Sequence, residues 1–352
     1  MFRSSIFSFE TLTLKGFRPR GLVLCILALG VIEFGLARTE WLWALEPRSE
    51  SGIVDAMERH VIRTAERPRI IILGNSRLRD ALAPRVLEEA LGLSRGSVLN
   101  LSLTAGEPFD SMVLYRRNRD RFSSCRLLIL GLDDWNLLGE PAATERVRRF
   151  ATFKERWRWF HGDDRWSLLV GWIWRTYDAR IPLRRFMKFA WLFRIAALPF
   201  GPDGRVIWRD EEPAVGPLVA PGLLARARSL YEGRHEGGEM ARDAFHETIS
   251  MARTDGLGIL IIRPPLRDAL VRERERLAPD LRVKFKAYLK KLVDSDHGIS
   301  LLIYDGGEAA GLGPKDFLDY GHMTASGASR FSRQVALRMR QLQVLERMAE
   351  AR

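Results

Sequence analysis

Residues 69–77 read Arg69-Ile70-Ile71-Ile72-Leu73-Gly74-Asn75-Ser76-Arg77. An unbroken apolar, largely β-branched run closed by a glycine is the pattern of a strand buried on both faces. A helical pattern, Arg77–Leu91, follows at once. The strand over Arg69–Gly74 therefore turns straight into a helix, with Ser76 at the turn. Working outward, four more runs share its character: Ser97–Leu103, Arg126–Leu132, Gly258–Arg263 and Ile299–Tyr304. Helical patterns fill the gaps at Pro108–Arg121, Gly238–Thr254 and Leu266–Asp294, and a last amphipathic helix starts near Thr324. Strands alternating with helices predict an α/β fold, a three-layer sandwich around a central, mostly parallel five-stranded sheet. Ligands in such sheets bind beyond the carboxyl ends of the strands.

Composition narrows the function classes. The chain has 352 residues and a formal net charge of +12. The excess is arginine, with only eight lysines, and neither a compact basic tract nor a recognition motif is present. That argues against a nucleic-acid partner. Cys25 lies in an N-terminal apolar run and Cys125 precedes a predicted buried strand, so neither a disulfide nor a cysteine metal site is expected. His60, His161, His235, His246 and His297 are scattered without metal-ligand spacing, and Walker and dinucleotide fingerprints are missing. No metal and no cofactor is expected.

The N-terminus reads as a membrane signal. Arg3, Lys15, Arg18 and Arg20 mark residues 1–20 as cytoplasmic, and the apolar stretch Gly21–Ala37, broken only by Glu33, is a transmembrane anchor. Trp41 and Trp43 follow, as aromatics do at the outer interface. Gly35-Leu36-Ala37 is a small-residue ending that leaves a cleavable signal open as the alternative. Residues 38–66 read as a polar, partly helical linker, and 67–352 as the α/β domain. The alternation lapses between about 140 and 237, a helical, aromatic-rich insertion holding seven of the ten tryptophans. Within it Phe186, Phe189 and Phe193 fall on one helical stripe. The stretch from about Phe153 to Phe200 has three readings: packing onto the core, contact with a membrane or membrane partner, or contact with a glycan.

Two sites carry chemistry. Ser76, at a strand-to-helix turn, is either a nucleophile or simply the helix N-cap. Asp319-Tyr320-Gly321-His322 lies in a loop just before the terminal helix. An aspartate and a histidine three residues apart can place the carboxylate on one ring nitrogen and leave the other for a serine.

Here the chain resembles the SGNH (GDSL-type) hydrolases. Gly74-Asn75-Ser76 resembles their first block and Asp319-Tyr320-Gly321-His322 their last. Ile71 through Arg77, followed by Pro84, is similar to the branch tied to cell-envelope polysaccharide acylation. That branch includes the alginate O-acetylation proteins and the teichoic acid D-alanine-transfer protein. The resemblance spans 68–136 and 256–345 and omits the insertion. It implies an SGNH- or flavodoxin-like fold with Ser76 as nucleophile, His322 as general base and Asp319 as its orienting carboxylate. The second block would be Asn100 to Gly106, with Ser102 where the family usually has a glycine, so the backbone N–H of Ser76, Ser102 or Gly106 would form the oxyanion hole. The third would be Gly131-Leu132-Asp133-Asp134, where Asp133 replaces an amide donor and Asn136 lies offset. Asp133 and Asp134 equally suit a helix cap.

The resemblance implies a single-pass protein of the bacterial inner membrane with its C-terminal domain in the periplasm. Its expected activity is O-acyl transfer, with acetyl as the expected group, to an exported polysaccharide, the acyl group being delivered by an integral-membrane acyltransferase. An esterase of the same fold and a non-catalytic glycan-binding or scaffold subunit are the alternatives.

Overall fold

The computed structural model describes residues 19–38, 49–137, 142–180, 184, 201, 203–204, 220–232 and 238–344. The predicted stripe Phe186, Phe189 and Phe193, together with Trp41, Trp43, Trp191, Trp208 and His235, lies outside them.

Five strands form one sheet: β1 (Ile70–Leu73), β2 (Val98–Asn100), β3 (Leu127–Gly131), β4 (Gly258–Arg263) and β5 (Ile299–Ile303). Their order is β2-β1-β3-β4-β5 and every pairing is parallel, not merely most of them. Successive residues feed opposite faces. Ile71 and Leu73 pack with Leu114, Tyr115, Phe245 and Phe285 on one side. Ile70 and Ile72 pack with Leu78, Leu87, Phe331 and Val335 on the other. Burial on both faces is why the strands read as continuous apolar runs.

The chain leaves β1 toward β2 on one side and returns to β3 on the other. The strand order therefore reverses beside the carboxyl end of β1, where doubly wound sheets open a crevice. Two helical patterns break at prolines. Arg77–Leu91 becomes Ser76–Ala81 and Pro84–Leu91, because Pro84 holds Ala83 extended at φ −91°, ψ 110°. Leu266–Asp294 becomes Asp268–Leu277 and Leu281–Ser295, parted around Pro279.

Part of the segment read as a linker belongs to the core. A helical stretch over Gly52–Ile62 buries Val54, Met57, Val61 and Ile62 against the β1 and β3 face. Its hydrophobic positions follow a helical period that the surrounding charged residues obscure in the sequence. The insertion contributes helices Glu145–Phe150, Phe153–Trp159, Gly162–Ile173 and Ala220–Tyr231. Val147, Trp159, Phe160 and Leu168 pack on Phe109, Met112 and Val113 of the helix Pro108–Arg117.

At the N-terminus an α-helix, Pro19–Val31, passes directly into a π-helical turn, Ile32–Ala37. Among the described residues no helix is long and apolar enough to cross a membrane.

Candidate active site

The site is built on the turn after β1. Asn75, extended at ψ −177°, is the N-cap of Ser76–Ala81: its Oδ1 accepts from the backbone N–H of Arg77 at 3.0 Å and of Leu78 at 3.4 Å. Ser76 is thus the first helical residue rather than the cap, and its hydroxyl is free for other partners. There is little room for a side chain where this turn meets β3. A side chain at Gly74 would come within 3.1 Å of both Gly131 Cα and Leu78 Cδ2.

The second component is the loop before the terminal helix. Asp319 Oδ1 accepts from the N–H groups of Gly321 and His322, both at 2.8 Å, closing a tight turn. Asp319 Oδ2 lies 2.7 Å from His322 Nδ1. One carboxylate both folds the loop and orients the ring. The loop is pinned on either side: Leu318 N–H donates to His322 O at 2.8 Å, and Arg267 N–H to Tyr320 O at 2.9 Å. Phe317 and Met323, which flank it, are buried in the core.

The two components meet across 246 residues of sequence, with Ser76 Oγ 2.8 Å from His322 Nε2. Because Nδ1 faces an ionised carboxylate, it carries the proton in the neutral ring, which leaves the Nε2 lone pair to accept from the serine hydroxyl. Burial pushes the Asp319 carboxyl upward. The hydrogen bond and charge of His322 and the two backbone N–H groups outweigh that and hold it below the usual carboxylate value. The histidine side chain is 21% exposed, so the relay is shielded but reachable.

Ser76 opens on a cleft of about 300 Å³ lined by Asn75, Ala105, Gly106, Glu107, Trp135, Asn136, Arg226 and Tyr320 among others. A larger cavity, about 390 Å³, lies between Asp134, Arg242 and Leu277–Leu281, and none of Ser76, Asp319 and His322 lines it. The smaller one is the candidate site, because Ser76 lines it.

The expected oxyanion groups divide. Ser102 is buried with its N–H on Asn100 Oδ1 at 3.2 Å, and so faces away from the cleft. Gly106 lines the cleft, but its N–H donates to Leu103 O at 3.1 Å. Its role there is steric: a side chain would fall 2.6 Å from Gly74 O and 3.3 Å from Asn75 Cα. The Ser76 N–H, first in its helix, has no intrahelical acceptor. Asn136 lines the cleft and donates one amide hydrogen to Glu107 Oε2 at 2.8 Å, which leaves the second available.

Asp133 and Asp134 are both buried; Asp134 Oδ1 accepts from the N–H of Trp135 at 3.1 Å in the first turn of the 3-10 helix Asp134–Leu137, whereas the Asp133 side chain is bonded elsewhere. Asp133 accepts from Asn75 Nδ2 at 2.7 Å and pairs closely with Arg77. Arg77 also donates to Pro264 O at 2.7 Å and Pro265 O at 2.8 Å, and its guanidinium stands 5.1 Å from the Trp135 ring centre. It thereby ties the ends of β1, β3 and β4 beneath Ser76. Asp134 sits between Arg263 at 3.0 Å and Arg274 at 3.1 Å and accepts from Tyr231 Oη at 3.2 Å. Arg77 and Tyr320 stand inside the two quoted sequence blocks without a role read for them, and Trp135 and Arg226 stand outside both. Adjacency to Ser76 and to the Asp319–His322 pair is the local cue for Arg77 and Tyr320, and nothing local marks Trp135 and Arg226.

No protein-family model and no curated protein matches the chain.

Proposed function

We propose that this chain is a membrane-anchored, extracytoplasmic SGNH-like O-acyltransferase that acylates, in the simplest case acetylates, an exported envelope polysaccharide through an acyl-Ser76 intermediate. One observation carries the reading: a hydrogen-bonded Ser76–His322–Asp319 chain, with contacts of 2.8 and 2.7 Å, at the mouth of a cleft on the carboxyl edge of a parallel sheet.

In the first half-reaction Ser76 Oγ attacks the acyl carbonyl while His322 Nε2 takes its proton, and Asp319 stabilises the imidazolium. The Ser76 N–H and the Asn136 amide are the donors best placed for the oxyanion. Collapse breaks the bond to the donor's leaving group, which receives the proton from His322. In the second half-reaction His322 deprotonates a sugar hydroxyl, that oxygen attacks the acyl-serine, and Ser76 regains its proton. The cleft walls suit a sugar ring, with Trp135 and Tyr320 as flat faces and Arg226, Glu107 and Asn136 as polar contacts.

The apolar helix with its upstream basic residues supports the anchor and export. An integral-membrane acyltransferase would supply the acyl group at the same bilayer.

Replacing Ser76 with alanine and measuring O-acetyl content on the cell's exopolysaccharide tests the reading; unchanged acetylation with the protein still present refutes it. A second reading, a scaffold or glycan-binding subunit, is favoured by the commitment of the Ser102 and Gly106 N–H groups elsewhere. Failure of a fluorophosphonate to label Ser76 would select it. Aryl acetate turnover with and without oligosaccharide separates transfer to sugar from plain esterase action.

A further inference from the structure

Seventeen large hydrophobic side chains are exposed among the described residues, and all but Val283 and Leu337 fall in two places. One is the N-terminal helix from Leu22 to Phe34. The other is the helical pair Phe153–Trp159 and Gly162–Ile173 with Trp174 after it. On that pair the rings adjoin: Phe153 stacks on Trp157 at 6.4 Å and meets Trp172 edge-on at 5.4 Å, and Trp157 meets Trp166 at 6.5 Å. Trp166 and Ile173 are 62% and 66% exposed. By contrast Trp159 is buried, and its N–H donates to Asp243 at 2.9 Å.

The two apolar surfaces are joined. Glu33 accepts from the N–H of Arg175 at 2.9 Å and from the N–H and hydroxyl of Thr176 at 2.8 and 2.7 Å. Arg38 donates to Glu33 at 2.9 Å and to Ile173 O at 2.7 Å. The end of the apolar helix is thus clamped to the segment that carries Ile173 and Trp174. Cationic groups edge the patch, with the Arg165 guanidinium 4.8 Å from the Trp157 ring centre and Lys154 and Arg180 exposed.

We propose that the Phe153–Trp174 surface lies in the headgroup layer of the bilayer in which the N-terminal helix is anchored. This rests on the reading of residues 21–37 as that anchor. An exposed aromatic patch of this extent needs a cover, and its continuity with the apolar helix selects lipid over a separate protein. Indole rings with cationic neighbours favour the boundary between hydrocarbon and water. Seating the patch also sets the height of the active site. Arg146, one helix earlier in the insertion, donates at 2.8 Å to Thr104 O in the loop beside Ser76 and at 2.8 Å to Asp110 Oδ2 in the helix Pro108–Arg117 that follows it. Buried Arg156 bonds Asp178 at 2.9 Å and holds the helices of the patch together. The cleft is thereby presented at one distance from the membrane, within reach of an acyl group emerging from it.

The test uses the full chain with Cys25→Ala, in vesicles of phosphatidylethanolamine and phosphatidylglycerol; Cys125 is buried and takes no label. Nitroxides are attached separately at Trp166→Cys and Ile173→Cys, with Val283→Cys as a control on a helix far from the patch in sequence. Labels at 166 and 173 are expected to collide severalfold more with oxygen than with a water-soluble nickel chelate, and the label at 283 the reverse. If the chain floats with the vesicles but both patch labels meet the chelate as freely as 283 does, the proposal is overturned and the anchor stands. Shielding that appears only in native membranes points to a protein cover and overturns it equally. If the chain does not float at all, anchor and proposal fall together.

Discussion

Asp319→Asn isolates the orienting carboxylate, because the loop around it should survive the change. The asparagine Oδ1 can still accept from the N–H groups of Gly321 and His322, as Asp319 does at 2.8 Å. Its Nδ2 would occupy the place of Oδ2, 2.7 Å from His322 Nδ1, and can only donate. The ring must then accept at Nδ1 and carry its proton on Nε2, so that it donates to Ser76 Oγ where it formerly accepted. Two losses follow. The imidazolium of the transition state loses an adjacent anion, worth about 4 kcal/mol at an effective dielectric near 20. Because Asp319 is 36% exposed, solvent screening trims that to roughly 2–3 kcal/mol. The reversed hydrogen bond at Ser76 adds about 2 kcal/mol. Together they predict a fall of roughly 10³–10⁴ in kcat, as expected when a triad loses its carboxylate. The assay is aryl acetate turnover by the full chain in detergent, paired with ¹⁵N spectra of the imidazole. The wild-type ring should be protonated at Nδ1 and the variant ring at Nε2. A variant within threefold of wild type, or a wild-type ring without an Nδ1 proton, would refute the relay.

Further outcomes follow from neighbouring contacts. Gly321→Ala puts a methyl group 2.5 Å from Arg77 Nε, so the loop must move, and kcat should drop by about 10²-fold with little change in the urea midpoint. Arg77→Met leaves Asp133 buried and unpaired at a cost of about 3–5 kcal/mol in denaturant unfolding, and adding Asp133→Asn should recover part of it. The hydrogen bonds from Arg119 hold the Asp255 carboxyl below its usual value, against burial and with help from Tyr115. Its contribution to stability is therefore present above the unfolded value of about 3.9 and lost as pH falls through the lower folded value. The difference in urea midpoint between wild type and Asp255→Asn should be constant from pH 6 to 8 and shrink below about pH 4.

Much of this protein was legible locally. The run Ile70–Leu73 and its four counterparts carry their burial in their composition, because a parallel strand covered on both faces must be apolar throughout. The turn at Asn75-Ser76 and the three-residue spacing of Asp319 and His322 are short-range matters, settled by the reach of a carboxylate to its own loop. Proline breaks and the core role of Gly52–Ile62 were less visible, since a charged surround masks a buried stripe.

What only the tertiary structure decided is everything set by contacts distant in sequence. The order β2-β1-β3-β4-β5 brings position 76 to position 322, and no periodicity encodes which strand lies beside which. The partners of Arg77 at Asp133, Pro264 and Pro265 come from the ends of two other strands, so a fully buried guanidinium looked like one arginine among many. Burial likewise divided the insertion's described tryptophans, with Trp159 inside and four others on the surface. Side-chain chemistry is local, whereas desolvation and proximity depend on how the whole chain packs, and those two quantities separate a helix-capping serine from one hydrogen-bonded to a distant histidine.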